Sequence, residues 1–377
     1  MYKKEIMHCV EFDNKLSFGG SIKYAYLLDK GLRQNGFNTI QLKRPPLIAG
    51  KIDKNFITGR IYIIFALLKI IFGILKDWIE FTSSKKLWII HHPFLGFFSL
   101  FSRRYSLIYI CHGPWYLEAK DILDENFNNN YIKYLQIAFR RIIQKVLIIR
   151  CDKLFFISSY MRNLVLKDLN LDNSKINRKV KIISPIVDNM NKITEKDYKT
   201  ATHERKKGKI YICRRLVKRT GVTEFVNLWR VSNLSDNNVL EIAGTGPESK
   251  NLEKLLTKYQ KINCNYRGFL SEEDHIKNYL TSEFMILPSK NYEGFGLVIV
   301  EAIKYGCIPI VSNKSGGGAE WLRNICHELI YDGSMKDLEN SISWARKQNR
   351  NDLMNKLRKE ILIMNAREVA KNLITNI

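Results

Sequence analysis

The sequence has no paired cysteines, no Asp-x-Asp and no long apolar run, and it is short of acidic residues for its 377-residue length. Seven cysteines, Cys9, Cys111, Cys151, Cys213, Cys264, Cys307 and Cys326, are scattered, odd in number and without a CxxC pair. That spacing argues against a disulfide framework or a zinc site, and for reduced thiols in a cytosolic setting. Without Asp-x-Asp there are no carboxylates at the spacing that bridges a divalent cation to a diphosphate, so no metal is expected. No P-loop, GxSxG elbow or full GxGxxG fingerprint occurs, which sets aside kinase, esterase and dehydrogenase chemistry. The opening MYKKEIMHCVEFDNK lacks an apolar stretch followed by a small-residue cleavage site, so a secreted form is not expected.

The longest apolar segment, Arg60 to Phe81, is interrupted by Lys69, Lys76 and Asp77. Its charge-free run Ile61–Leu68 falls well short of the roughly 20 residues a spanning helix needs. Two readings stand: a buried helix packed on a sheet, or a helix lying in a membrane interface with its lysines at the polar edge. Acid is scarce, with 37 Asp and Glu against 61 Lys and Arg, and the resulting charge of +24 is spread along the chain. Such a field attracts polyanions: an anionic membrane surface, an acidic glycan or a lipid phosphate. Nucleic acid is not expected, because zinc-finger spacing, an RNA-binding signature and a basic zipper are all missing. Richness in Lys, Asn and Ile also fits an AT-rich coding sequence.

What is present is alternation. Apolar, β-rich runs predict strands at Glu5–Glu11, Asn38–Leu42, Leu87–His91, Leu107–Cys111, Lys153–Ile157 and Val180–Ile183. Helical patterns fall near Ile22–Gln34, Arg60–Glu80, Tyr131–Arg150 and Tyr160–Leu169. The pattern collapses into polar residues between Asp188 and Lys209, as a linker does, and then restarts. Strands are predicted at Ile210–Cys213, Val239–Ala243, Cys264–Arg267, Phe284–Leu287 and Ile308–Val311. Helices are predicted near Thr223–Val231, Glu248–Tyr259, Glu272–Leu280 and Gly296–Tyr305. This is α/β organisation with parallel sheets, and the length suits two domains. The expected division is residues 1–188, a linker at 189–208, residues 209–350, and a tail at 351–377. The tail, Asn351 to Thr375, reads as one long helix packing back across the junction. No internal repeat beyond this similarity of the two halves, and no low-complexity segment, is visible.

The most specific stretch is SKNYEGFGLVIVEAIKYGCIPIVSNKSGGGAEW, Ser289 to Trp321, which follows one predicted strand and opens a helix. Gly294 and Gly296 let the backbone approach a ligand closely, and the helix start at Gly296 and Leu297 offers unpaired N–H groups and a positive dipole end to a diphosphate. EGFGLVIVEA, with seven residues between Glu293 and Glu301, resembles the paired-glutamate motif of the retaining glycosyltransferases of the GT-B fold, family 4, glycosyl transferases group 1. YICRRLVKRTGVTEFV, Tyr211 to Val226, is similar to that family's arginine-leucine segment, but Thr220 stands where a lysine is usual, so Arg219 or Lys218 must serve as the second cation.

The resemblance implies two Rossmann-like doubly wound domains facing a central cleft, the first binding the acceptor and the second the nucleotide sugar. It implies Arg215 and Arg219 on the donor diphosphate, Glu301 on the ribose, and Glu293 facing the transferred sugar. The glycine loop at Gly19 and Gly20 would approach donor phosphate and acceptor, and His112, in IYICHGPWYLEAK, would lie beside the sugar. LEIAGTGPE, with Gly244 and Gly246, resembles the family's strand, glycine turn and helix start, and FFISSYMRNL around Ser158 resembles an architectural segment of it. His91 and His92 end an earlier strand in the same style as His112. The implied activity is hexosyl transfer (EC 2.4) without a metal, from a UDP- or GDP-sugar to a cell-envelope polysaccharide or glycolipid, on the cytoplasmic side and possible at a membrane surface. No cofactor is expected, since the nucleotide sugar is a substrate. Two alternatives remain: a non-catalytic subunit binding a glycan or partner enzyme, and a nucleotide-sugar epimerase or hydrolase of the same fold.

Overall fold

A computed structural model of the chain describes residues 5–10, 20–43, 87–93, 96, 106–117, 130–187, 205–259, 262–291 and 293–377. The helix expected at Arg60–Glu80, Gly19, and most of the polar stretch after Asp188 lie outside the described residues.

The first sheet has six parallel strands in the order β2-β1-β3-β4-β5-β6. They are β1 Glu5–Val10, β2 Asn38–Lys43, β3 Leu87–Ile90, β4 Ser106–Cys111, β5 Lys153–Phe156 and β6 Val180–Ile182. The second sheet, also six-stranded and parallel, runs β12-β11-β10-β7-β8-β9. Its strands are β7 Lys206–Cys213, β8 Val239–Ala243, β9 Cys264–Tyr266, β10 Ser282–Leu287, β11 Ile308–Ser312 and β12 Ile330–Tyr331. β7 begins inside the stretch read as linker, and β12 was not predicted, being only two residues long. Continuous apolar runs such as FMIL in β10, Phe284–Leu287, buried at every position, are what a strand covered on both faces requires.

Helices of eight residues or more, labelled over the described chain, are α1 Gly20–Gln34, α2 Asn130–Arg150, α3 Ser159–Asp168, α4 Val222–Trp229, α5 Ser249–Lys258, α6 Glu272–Thr281, α7 Leu297–Lys304, α8 Gly317–Ile325, α9 Met335–Lys347, α10 Arg350–Leu362 and α11 Ala366–Thr375. α8 and α9 were not predicted. The strand order of each sheet reverses once, between β1 and β3 in the first and between β7 and β10 in the second. Loops leaving the carboxyl ends at such a reversal diverge, and the crevice between them is where this architecture binds ligands.

The tail departs from expectation, because it forms two helices rather than one. Asn365 adopts an extended conformation and caps α11, its side chain accepting from the Glu368 N–H at 3.0 Å. The Met364 carbonyl accepts from the Val187 N–H at 2.8 Å. α10 packs into the second core through Leu353, Leu357 and Ile361, whereas α11 joins Tyr24, Leu27 and Leu28 of α1 in the first. A straight helix cannot bury its face in both cores, so the chain breaks where it crosses.

The α1–α11 contact is close enough to need a glycine. A Cβ on Gly31 would stand 2.0 Å from the Ala366 carbonyl oxygen and 3.0 Å from the Ala370 Cβ. Alanine gains about 1 kcal/mol of helix propensity over glycine, but overpacking against backbone costs about 1–3 kcal/mol. Gly31→Ala is therefore expected to lower the urea midpoint of unfolding; an unchanged or raised midpoint would show that α11 yields without cost.

Candidate functional site

Five loops converge between the sheets. After β7 comes Arg214, after β10 comes the 289–296 turn, and after β1, β3 and β4 come Gly20, His91 and His112. Adjacent side chains leaving a strand alternate in direction, so only one of Arg214 and Arg215 can face the turn. The structure chooses Arg214, which forms an ion pair with the Glu293 carboxylate, each side chain about 12% exposed. The Ser289 hydroxyl lies 3.3 Å from the Glu293 Oε2, and the Arg214 Nε is buried without a hydrogen-bond partner. Arg215 is exposed. The glycines of the 244–246 turn explain themselves here: a Cβ on Gly244 or Gly246 would collide with the backbone of Arg214 or Leu216, at 1.8 and 2.2 Å from the carbonyl oxygens. They hold the basic segment against β8.

Thr220 occupies the usual lysine position as a buried structural residue. Its hydroxyl donates to the Val217 carbonyl at 2.7 Å and lies 3.0 Å from the Arg215 carbonyl. Gly221 follows in the left-handed region, φ 68°, where a Cβ would stand 2.5 Å from the Pro288 carbonyl oxygen. Arg219 is half-buried, with its carbonyl accepting from the Lys290 N–H at 2.9 Å, and Lys218 is exposed.

Gly296, at φ 80°, turns the chain into α7 and brings Leu297 to its first position. Across the crevice, Gly20 at the start of α1 faces that residue, its added Cβ falling 3.7 Å from the Leu297 Cδ1. Glu301, one turn along α7, bonds the Lys23 Nζ of α1 at 2.6 Å and lies 3.3 Å from the Tyr279 hydroxyl. Lys23 was not foreseen: it is a lysine among several, and only the facing of α1 and α7 singles it out.

The seam continues below the turn. A Cβ on Gly294 would be 2.9 Å from the His112 carbonyl oxygen, and the Ser158 hydroxyl, which caps α3, donates to the Gly294 carbonyl at 2.8 Å. The Tyr160 N–H donates to the Glu320 carboxylate at 2.8 Å. The segment around Ser158 therefore joins the two domains.

His112 is half-buried, its Nε2 2.9 Å from the Nδ1 of buried His91, with their rings stacked at 5.2 Å and Tyr24 edge-on at 5.0 Å. The loop that carries it is held by Gln144 of α2, which is fully buried. Its amide donates to the Gly113 carbonyl at 2.8 Å and its oxygen accepts from the Trp115 N–H at 2.9 Å. A glutamine on the buried side of the run RIIQKVLII is the one sequence signal that could have marked this role. His92 instead meets Trp115 edge-on at 4.9 Å.

Burial holds the His112 imidazole down to about 4, so it is neutral at physiological pH. The unfolded chain takes up a proton near pH 6.5 that the folded chain refuses, so stability falls as pH drops from about 6.5 towards 4, by at most ~1.4 kcal/mol per pH unit. His112→Gln is expected to flatten that decline in urea midpoints between pH 7 and pH 5; an unaltered slope would assign the proton uptake elsewhere. Burial pushes the thiols of Cys151, Cys213, Cys264, Cys307 and Cys326 up to about 12, so none of these is a thiolate nucleophile at neutral pH. Among the described residues no cluster of three or more His, Cys, Asp or Glu could hold a metal, and no helix is long and apolar enough to cross a membrane.

Two parallel doubly wound sheets whose reversal points face one another define a GT-B protein, with two Rossmann-like domains. Solved structures with the same fold include sucrose-phosphate synthase from Thermosynechococcus elongatus, 16% identical, covering 99% of this chain and 98% of that one at a TM-score of 0.71. The catalytic domain of starch synthase IV from Arabidopsis thaliana, bound to ADP and acarbose, is 14% identical over 99% and 98% of the two chains, TM-score 0.70. The lipopolysaccharide outer core galactosyltransferase WaaB is 15% identical over 99% and 98%, TM-score 0.63. No curated protein sequence matches the chain. Residues 194–364 match the family described as glycosyl transferases group 1.

Proposed function

We propose that this chain is a retaining, metal-independent glycosyltransferase that moves a hexosyl group from a UDP- or GDP-sugar to a cell-envelope polysaccharide or glycolipid at the cytoplasmic face of a membrane. In this reading residues 1–188 take the acceptor, 189–208 link, 209–350 hold the nucleotide sugar, and 351–377 steady the junction. The observation that carries it is the convergence of Glu293, Arg214 and the start of α7 from one domain on His112 and Gly20 of the other. The ADP in the starch synthase structure, and the UDP and glucose in that of HepE from Anabaena, support a nucleotide-sugar donor.

The N–H groups at Gly296 and Leu297 take the diphosphate, and Arg219, beside the turn, supplies a cation that stabilises the charge developing on it as the glycosidic bond breaks. Arg214 orients Glu293 towards the sugar. His112, neutral, offers a hydrogen bond to a sugar hydroxyl and adds no charge to the developing oxocarbenium ion. Glu301 accepts from the ribose hydroxyls, with Lys23 already fixing one of its oxygens. The incoming hydroxyl loses its proton to the departing phosphate oxygen, so that no enzyme nucleophile is needed.

The test is incubation with UDP-, GDP- and ADP-sugars, with and without a membrane lipid extract. Nucleotide released only when the extract is present supports transfer. Release without acceptor points to hydrolysis or epimerisation, and no release with any donor leaves a non-catalytic glycan-binding role.

A further inference from the structure

α2 is apolar on two sides. One side faces the sheet, with Ile143, Leu147 and Ile148 buried. The other side is open to solvent: Tyr134 is 70% exposed, Leu135 52%, Phe139 55%, Ile142 61% and Ile149 47%. No exposed apolar stripe of this length recurs on another described helix. At about 100° per residue, Leu135, Ala138, Phe139, Ile142, Val146 and Ile149 share about 100° of arc, with Lys145 and Arg150 at its two edges.

The charge on this element has one sign. From Asn130 to Arg150 there are five basic residues and no acidic one, in a chain that is +24 as a whole. At its end, Lys179 donates to the Ile149 and Cys151 carbonyls at 2.8 and 2.7 Å, flanked by exposed Arg178 and Lys181. Basic residues within the 21-residue helix keep it from spanning a bilayer. An apolar stripe edged by cations, on a helix too charged to cross, has the form of an element lying in the headgroup region of an anionic membrane.

We infer that the exposed face of α2 is the surface by which this protein docks on an anionic lipid bilayer. The inference deepens the membrane reading above by naming its contact surface. Leu135, Phe139, Ile142 and Ile149 enter the interface, and Lys145 and Arg150 meet lipid phosphates. Because Gln144 on the opposite side holds the His112 loop, docking sets that loop at a fixed height over the membrane. An acceptor with a lipid anchor and a polar head would reach the crevice from there.

The experiment uses the purified full chain and cosedimentation with two vesicle types, phosphatidylglycerol mixed with phosphatidylethanolamine, and phosphatidylcholine alone. The wild type is expected to bind the anionic vesicles, more weakly at high salt, and to bind phosphatidylcholine poorly. Two double variants, Phe139→Ser with Ile142→Ser and Lys145→Gln with Arg150→Gln, are each expected to bind about tenfold more weakly or worse. Both should keep wild-type melting and wild-type affinity for UDP or GDP, since the four side chains lie outside the crevice. Variants that bind anionic vesicles as well as the wild type overturn the assignment to α2 and move the contact to another segment. A wild type that binds UDP or GDP but no vesicles overturns membrane docking and leaves the donor site standing. A wild-type dimer that the serine variant converts to monomer overturns it as well, making the stripe a contact with a second copy.

Discussion

Glu293→Gln is expected to lower turnover by roughly 10²- to 10³-fold, the scale of losing one preorganised polar group at a reacting centre, while shifting thermal stability little. The reason lies in what the glutamine keeps. Glu293 and Arg214 enclose one another with about 12% of each side chain exposed, and the Arg214 Nε is buried without a hydrogen-bond partner. A glutamine still fills the space and still offers an oxygen to the guanidinium, so the pair survives as a neutral-acceptor hydrogen bond. In the proposed mechanism, what disappears is the negative charge facing the sugar. Glu293→Ala behaves differently, since it strands a largely buried guanidinium, a loss that costs about 3–5 kcal/mol when the pair is fully buried and less here. Alanine should therefore cost stability and activity together, and glutamine activity alone. Steady-state kinetics and melting curves on both variants separate the two effects. A glutamine enzyme with near-wild-type turnover would remove Glu293 from the chemistry and leave it a structural role.

Gly317→Ala is expected to lower kcat/KM by about 10²-fold, through displacement of the 293–296 turn rather than loss of any reacting group. Gly317 opens α8 and lies between the domains. Its added Cβ would stand 2.1 Å from the Gly294 carbonyl oxygen and 2.4 Å from the Ser158 hydroxyl. Neither neighbour is the end of a flexible chain: one is backbone, and the other is fixed by capping α3 and by bonding Gly294. The methyl group therefore pushes Gly294 away from His112 or parts the domains at Ser158, and either movement misplaces Glu293. The backbone at Gly317 lies outside the positive-φ region, so alanine is not strained in itself. The defect is confined to the seam. Retained activity would show that the seam opens and closes during turnover with room to spare.

The long parallel strands and most helices were legible because their signals are local. Apolar runs of four to six residues, glycines at strand ends and the 3.6-residue period are all carried by near neighbours. The tail was misread for the same reason. Asn351 to Thr375 is helical in pattern throughout, and only the two cores it must serve demand a break at Asn365. β12 was missed because two residues pairing with β11 leave no periodicity to detect.

The glutamate spacing, the helix start at Gly296 and the basic segment after β7 were determined by the sequence itself, since each is a matter of residues within eight positions of one another along the chain. Tertiary structure alone decided who meets whom. Arg214 rather than Arg215 reaches Glu293, 79 positions away, because strand alternation turns one arginine inward and its neighbour out. His91 and Gln144 came to hold His112, and Lys23 to bond Glu301 at a separation of 278 positions, only when sheets and helices were packed. Partnerships of that range depend on the distances between elements, and no local pattern of residues encodes them.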